Sequence, residues 1–368
     1  MDLPADKNMD KLIIKSRIRD FSVEFVDDFS FVDKLLDIKN YIVIVGETVY
    51  GHYKNLIFNR FPKDRLIIIK LNEQRKTLKT VTEIYKKLLP LTAKKNLTLI
   101  SFGGGINQDV TGFVASTLYR GINWIYIPTT LLAMADSAIG LKTSLNHESY
   151  KNVLGTFYPP SSIFICADFL NTLSETDYLS GVGEIIKFIL MKKDSIKNLD
   201  DSIKKIEKLK LNNDKEFIIN IIKKSIEIKK SYMEGDEFDL GKRNLLNYGH
   251  ELGHALEAAS NFKVPHGIGV IIGIIFANLV SVQRGLLDEK LNEKINKYLL
   301  LPNIITVKLE KKYFNEEILL EKIKKDKKRV SEKLPLVLPD KKFELIKITD
   351  LDFIEFEKML QKLKKLIL

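Results

Sequence analysis

Three of the chain's five histidines fall within residues 247–267, which read NYGHELGHALEAASNFKVPHG. Imidazoles serve as bases, phosphate contacts and metal ligands, so their spacing carries information. His250-Glu251-Leu252-Gly253-His254 matches H-E-x-x-H, which on a helix sets two zinc ligands on one face with a glutamate base between them. The extended form of that pattern fails, because Glu257 stands where a glycine is needed and Ser260 where a third histidine is needed. A helical zinc peptidase with a distant glutamate ligand remains open on these residues alone. His266 follows Pro265 at the start of an apolar helical pattern, so the chain can turn back and bring it beside His250. Two histidines and a carboxylate leave open positions on zinc, the arrangement of a catalytic site.

Three further constellations could do chemistry. The apolar run LTLISF leads into Gly103-Gly104-Gly105, and a helical pattern starts at about Asp109. Glycines there let the backbone approach a phosphate, and the helix N-terminus offers N–H groups and a positive dipole end. A tight strand-to-helix turn would use the same residues. Residues 127–160 are dense in polar groups yet apolar between them, and Asp136, Lys142, Lys151 and Asn152 are candidates to face a ligand there. In GVGEIIKF, Glu184 and Lys187 share one helical face at i, i+3, a surface ion pair if taken alone.

The elements that must position these residues fall into two halves. Strand-like runs at 41–47, 65–70, 97–102 and 123–128 alternate with helical patterns near 77–89 and 109–120, which predicts a parallel sheet with crossover helices. From about Thr172 the β signals largely vanish, and residues 180–192, 214–233, 243–260, 266–284, 287–299, 315–326 and 351–366 have helical spacing. The expected fold is α/β plus α, with an N-terminal Rossmann-like domain over 1–171 and a mostly helical domain over 172–368. At 368 residues the chain has room for both. The formal charge of +11 is spread over lysine-rich helical faces with acidic residues among them, which speaks against a nucleic-acid partner. The single cysteine, Cys166, lies in the apolar run SIFICADF and reads as a core thiol in a reducing compartment. The N-terminus lacks an apolar signal region and the longest apolar stretch, 270–280, is short for a membrane span. A cytoplasmic protein with no membrane partner is expected.

Taken in order, these segments resemble the sugar phosphate cyclases, and most closely 3-dehydroquinate synthase. NEQRKTLKTV is similar to the family's G-E-x-x-K-[ST]-L segment, GGGINQDVTGFVAS to its G-G-G-x-x-x-D turn, and RGINWIYIPTTLLAMADSAIGLKT to its R-G…P-T-T-L-L-A-x-x-D-S-x-x-G-x-K-T core. KNVLGTFYPP, GVGEIIKF, KRNLLNYGHELGHALE, PHG and KKDKK follow in the family's order. The resemblance implies NAD held by Glu73, Lys76, Gly103, Gly104, Gly105, Asp109, Thr129, Thr130, Asp136, Lys142 and Lys151. It implies one divalent metal, zinc or cobalt, on Glu184, His250 and His266, with His254 given to substrate phosphate instead. Lys142, Asn152, Lys187, Lys229, Arg243, Asn247 and Lys328 fall on substrate positions, and Arg120 on one that reaches a neighbouring subunit, so a homodimer is implied. The implied substrate is a seven-carbon keto acid phosphate, cyclised with loss of phosphate while NAD is reduced and reoxidised. Four departures stand out. Gly46 replaces an aspartate, Ile106-Asn107-Gln108 replaces V-I-G, Glu251 replaces Thr or Ser, and Ile268 replaces a glutamate in the family's H-G-E-A-V.

Overall fold

The β-branched runs of the first half become neighbouring strands of one 7-stranded sheet of order β1-β2-β9-β6-β5-β3-β4. The structure, a computed structural model, describes residues 11–91, 95–148, 150–211, 213–326 and 333–368. Strands β1 (Lys11–Ile14) and β2 (Phe21–Val26) pair antiparallel, while β3 (Tyr41–Gly46), β4 (Leu66–Ile69), β5 (Thr98–Gly103), β6 (Asn123–Pro128) and β9 (Ser162–Cys166) join in parallel, β9 also pairing with β2. β5 is buried at every position, as expected of a parallel strand covered on both faces. Helices α1 (Val32–Leu36), α2 (Glu47–Tyr53), α3 (Leu78–Leu88), α4 (Gly105–Thr117) and α5 (Leu131–Ala135) connect the strands. Helix α4 begins four residues earlier than expected, because Gly104 takes the extended N-cap conformation directly after β5. The polar segment after α5 is not a loop. It is an antiparallel hairpin, β7 (Lys142–His147) and β8 (Tyr150–Phe157), which the sequence reading missed.

The chain divides at Leu173/Ser174, with units 1–173 and 174–368. The second unit is built around α10 (His266–Gln283), which is apolar all round and therefore a core helix. Among the described residues it is the one helix long and apolar enough to cross a membrane, and 78% of its apolar window is buried. Helices α6 (Glu175–Met191) and α9 (His250–Ala259) pack directly on it. Around them lie α7 (Leu199–Lys210), which the sequence reading missed, α8 (Lys215–Met233), α11 (Glu289–Ile295), α12 (Glu316–Asp326) and α13 (Phe353–Ile367). The helix expected over 243–260 is two elements. A 3-10 turn over Lys242–Asn247 ends before Gly249, whose φ of +80° starts α9 in a new direction. A hairpin of β10 (Leu334–Pro339) and β11 (Leu345–Leu351), which the sequence reading missed, joins this mostly helical unit.

Candidate metal and nucleotide sites

In the second unit, Glu184 projects from α6, His250 opens α9 and His266 opens α10. Close backbone contact between these helices brings the three together: a Cβ on Gly183, beside Glu184, would overlap the carbonyl oxygen of Gly267, beside His266. Nε2 of His266 lies 3.0 Å and Nε2 of His250 3.5 Å from the same oxygen, Glu184 Oε1. Donors that share one zinc, each about 2.0–2.2 Å from it, stand about 3–4 Å apart, so these separations fit a single ion.

The far nitrogens are also fixed. His250 Nδ1 lies 3.2 Å from the Tyr248 carbonyl oxygen, and His266 Nδ1 lies 2.8 Å from Glu257 Oε1. Both partners are acceptors, so each Nδ1 carries a proton; neutral His250 is left with a bare Nε2, while the Nε2 of His266 holds a second proton toward Glu184 that a metal would displace. Glu184 is fully buried, and although Lys187 Nζ stands 2.5 Å from its Oε2, neither carboxylate oxygen receives a hydrogen bond of good geometry. Such a buried, under-satisfied carboxylate with the Nε2 atoms of two imidazoles turned toward it has the donor set of a divalent metal site.

Electrostatics follow this crowding. Burial opposes ionisation of Glu184, but Lys187 and His266 outweigh it and hold the carboxyl near 2. Burial likewise disfavours the charged His266, and Glu257 and Glu184 outweigh it, raising the imidazole to about 10. His250 is pushed well below its usual value by burial, with Lys187, His254 and His266 adding repulsion. His254 belongs to the same cluster, and one nitrogen from each of His250, His254 and His266 lies within 4.8 Å of the others. Glu251 lines an apolar recess with Leu252, Phe276, Leu336 and Phe356. Lys229 on α8 and Arg243 on the 3-10 turn are both buried, and Asn247 is half-buried. The Arg243 backbone N–H donates to Asp236 Oδ2 at 2.8 Å. Lys328 lies outside the described residues.

In the first unit, the polar residues largely pair with one another. Lys76 Nζ contacts Asp109 Oδ2 at 2.5 Å and Asn152 Oδ1 at 2.6 Å, and Asp109 Oδ1 accepts from the Ser144 backbone at 2.9 Å. Burial raises the Asp109 carboxyl despite Lys76 and Ser144. Asn146 donates to Glu73 Oε1 at 2.9 Å, so Glu73, Lys76, Asp109 and Asn152 form a brace between the start of α3, α4 and the hairpin. The glycine turn closes against the next loop: Thr129 N–H donates to Gly103 O at 3.1 Å, and Thr130 caps α5 through its hydroxyl. A Cβ on Gly104 would meet Thr130 Cγ2 at 3.0 Å, so a side chain there would fill the turn. Asp136 and Lys151 are half-buried, while Lys142 and Arg120 are exposed. Gly46 is the N-cap of α2 and offers no side chain to a ribose.

Family models describing the 3-dehydroquinate synthase N-terminal and C-terminal regions match residues 66–180 and 181–329. A 3-dehydroquinate synthase of Streptococcus equi subsp. equi is 34% identical over 340 residues, covering 90% of this chain and 92% of the relative. The chain belongs to the 3-dehydroquinate synthase family. A second 3-dehydroquinate synthase, from Dictyoglomus turgidum, is 38% identical over 280 residues, covering 76% of this chain and 77% of its own. Among solved structures, a 2-deoxy-scyllo-inosose synthase complexed with carbaglucose-6-phosphate, NAD+ and Co2+ has a TM-score of 0.81 at 23% identity, covering 95% of this chain and 99% of its own. The 2-epi-5-epi-valiolone synthase of Streptomyces hygroscopicus subsp. jinggangensis, with NAD+ and Zn2+ bound, has the same score at 22% identity and the same coverage. These likenesses show the dehydroquinate synthase-like fold.

Two residues escaped the sequence reading. Glu257 lies at i+7 from His250 and i+3 from His254 on α9, a signal that a helical projection of the motif carries. The pairing of Gln108 with Ser137 had no such signal, since the partners are 29 residues apart.

Proposed function

We propose that the protein is a metal- and NAD-dependent 3-dehydroquinate synthase, a phosphate-eliminating lyase that closes 3-deoxy-arabino-heptulosonate 7-phosphate to 3-dehydroquinate. The observation that carries this reading is that, in a chain of this family, Glu184, His250 and His266 converge with donor separations of 3.0 and 3.5 Å. When bound, NAD supplies a hydride acceptor and donor within one turnover, and zinc or cobalt supplies Lewis acidity toward a substrate oxygen. NAD+ and Co2+ or Zn2+ in the structural neighbours support the same pair here.

The chain's own residues then have separate tasks. Gly103, Gly104 and Gly105 clear the α4 N-terminus for a pyrophosphate, with Thr129, Thr130 and Asp136 beside it and Glu73, Lys76 and Asp109 bracing the turn. Glu184, His250 and His266 hold the metal. Lys142, Lys151, Lys187, Lys229, Arg243 and Lys328, with Asn152, Asn247 and His254, bind the substrate's carboxylate and phosphate through charge-assisted hydrogen bonds. Two buried cations, Lys229 and Arg243, match a carboxylate-bearing substrate better than an uncharged ketose phosphate. Exposed Arg120 is available to a second copy, so we read the protein as a homodimer. Its single cysteine is buried, and we place the protein in the cytoplasm.

The test is phosphate release by metal-loaded protein with NAD. We expect kcat/KM for the heptulosonate phosphate to exceed that for sedoheptulose 7-phosphate and glucose 6-phosphate, and Arg243→Ala to remove most of the difference. A preference for a substrate without the carboxylate, untouched by Arg243→Ala, overturns the substrate assignment. Metal content is expected to be lost in His250→Ala and His266→Ala and kept in His254→Ala.

A further inference from the structure

Three consecutive side chains at the start of α4 reach three different segments. Asn107 Nδ2 donates to Phe102 O at 2.8 Å, Ser101 Oγ at 3.1 Å and Ile44 O at 3.2 Å, tying the helix to the ends of β5 and β3. Asp109 holds Lys76 and the Ser144 backbone. Between them, Gln108 makes a two-way pair with one residue: its Nε2 donates to Ser137 O at 2.8 Å, and Ser137 Oγ donates to its Oε1 at 2.7 Å. Gln108 is 4% exposed, so water does not replace these bonds easily.

Ser137 sits at a sensitive place. It follows Asp136, whose φ of −130° and ψ of −74° mark a sharp bend, and precedes Leu141, a buried non-glycine residue at φ +63°. That left-handed conformation is costly for leucine and persists only if the flanking chain is held. The Gly140 N–H to Ser137 O bond of 2.9 Å and the Tyr158 N–H to Leu141 O bond of 2.7 Å hold one side, and Gln108 holds the other. A Cβ on Gly105 would lie 3.7 Å from Ser137 Oγ, so Ser137 stands beside the glycine turn at contact distance.

We propose that Gln108 is a positioning residue for NAD, locking the Asp136–Ser137 bend against the glycine turn so that the cradle is formed before the nucleotide arrives. The inference rests on the NAD-dependent reading above and deepens it: the departure from V-I-G replaces the compactness of a glycine with an amide clamp. A preformed cradle saves the ordering cost that a loose loop would charge against binding.

The experiment uses the full chain, metal-free and metal-loaded, as wild type, Gln108→Ala, Ser137→Ala and the double variant. NAD binding is measured by calorimetry, loop order by hydrogen exchange at residues 138–141 without NAD, and overall stability by thermal unfolding. The expected result is that Gln108→Ala raises the NAD dissociation constant about 5- to 30-fold, as loss of two buried hydrogen bonds implies. Exchange at 138–141 is expected to quicken, zinc binding to stay unchanged, and the double variant to resemble Gln108→Ala alone. Ser137→Ala, which removes only one bond, is expected to fall between. A lowered melting temperature with NAD affinity and exchange unchanged in both single variants overturns the proposal, as does tighter NAD binding in Gln108→Ala. Wild-type protein that binds no NAD overturns the cofactor reading itself, a distinct outcome.

Discussion

Glu257 meets the candidate metal site through His266. A carboxylate on the far nitrogen of an imidazole ligand fixes its tautomer and raises its basicity, an effect worth about 10- to 100-fold in metal affinity. At 2.8 Å, and with Glu257 4% exposed, that hydrogen bond is well placed to act so here. It gains weight from Ile268, fully buried where the family pattern has a glutamate, because one carboxylate near the metal is absent. Glu257→Ala is therefore expected to weaken zinc binding about 10- to 100-fold in a chelator competition, and Glu257→Gln, which keeps an acceptor, to recover part of it. Unchanged affinity in Glu257→Ala would show that His266 is oriented by packing alone. The four groups that meet here were legible one at a time: His250 and His266 from their surroundings, Glu184 and Lys187 from their helical spacing. Glu257 was seen only as a residue that breaks a peptidase motif, because a motif states which types occur and not which atom a ring nitrogen faces.

At the scale of elements, the site depends on how closely α6 and α9 approach α10. Gly183 meets Gly267, and Gly253 meets Gly269, where any side chain would press on backbone atoms. Backbone cannot yield as a flexible side chain can, so Gly183→Ala is expected to destabilise the second unit by about 2–4 kcal/mol and to lose metal with Glu184 itself intact. Thermal unfolding and metal content measure the two effects, and full metal occupancy at an unchanged melting temperature would refute the prediction. The helices were legible because their apolar residues recur with helical spacing, as in α8 and α13. The β10–β11 hairpin was not, since Pro335 and Pro339 lie within β10 and proline argues against a strand. A two-stranded hairpin tolerates them because β10 pairs only with β11. The β7–β8 hairpin was hidden for a different reason. Its polar residues read as ligand contacts, which hid the pairing: Asn152 meets Lys76, the Ser144 backbone meets Asp109 and Asn146 meets Glu73.

For the whole molecule, the metal cluster sets a dependence on pH. His266 is raised from 6.5 to about 10, so its contribution to the stability of the metal-free protein is complete below 6.5 and is lost as pH rises through about 10. Glu184 is held down from 4.5 to about 2, so its contribution is complete above 4.5 and is lost as pH falls through about 2. The charged neighbours in the cluster are Lys187 and Glu257, with His250 and His254 alongside. Metal-free protein is expected to be more stable at pH 5.5 than at pH 9, and the increment given by zinc to grow over that range, because a ligand imidazole must give up its Nε2 proton. Calorimetry of wild type against His266→Ala, with and without zinc, checks both; a pH profile identical in the two proteins would remove His266 as the cause.

The order of motifs by itself determined the family, and the alternation of β and helical periods determined an α/β half followed by a helical half, since both are written in local spacing. Only the tertiary structure decided which groups are partners. His266 and Glu184 are 82 positions apart in the chain and Gln108 and Ser137 are 29, and what joins them is the close approach of helix backbones in one case and the return of a loop onto a helix start in the other. Contacts of that kind depend on how elements pack, which spacing along the chain does not encode.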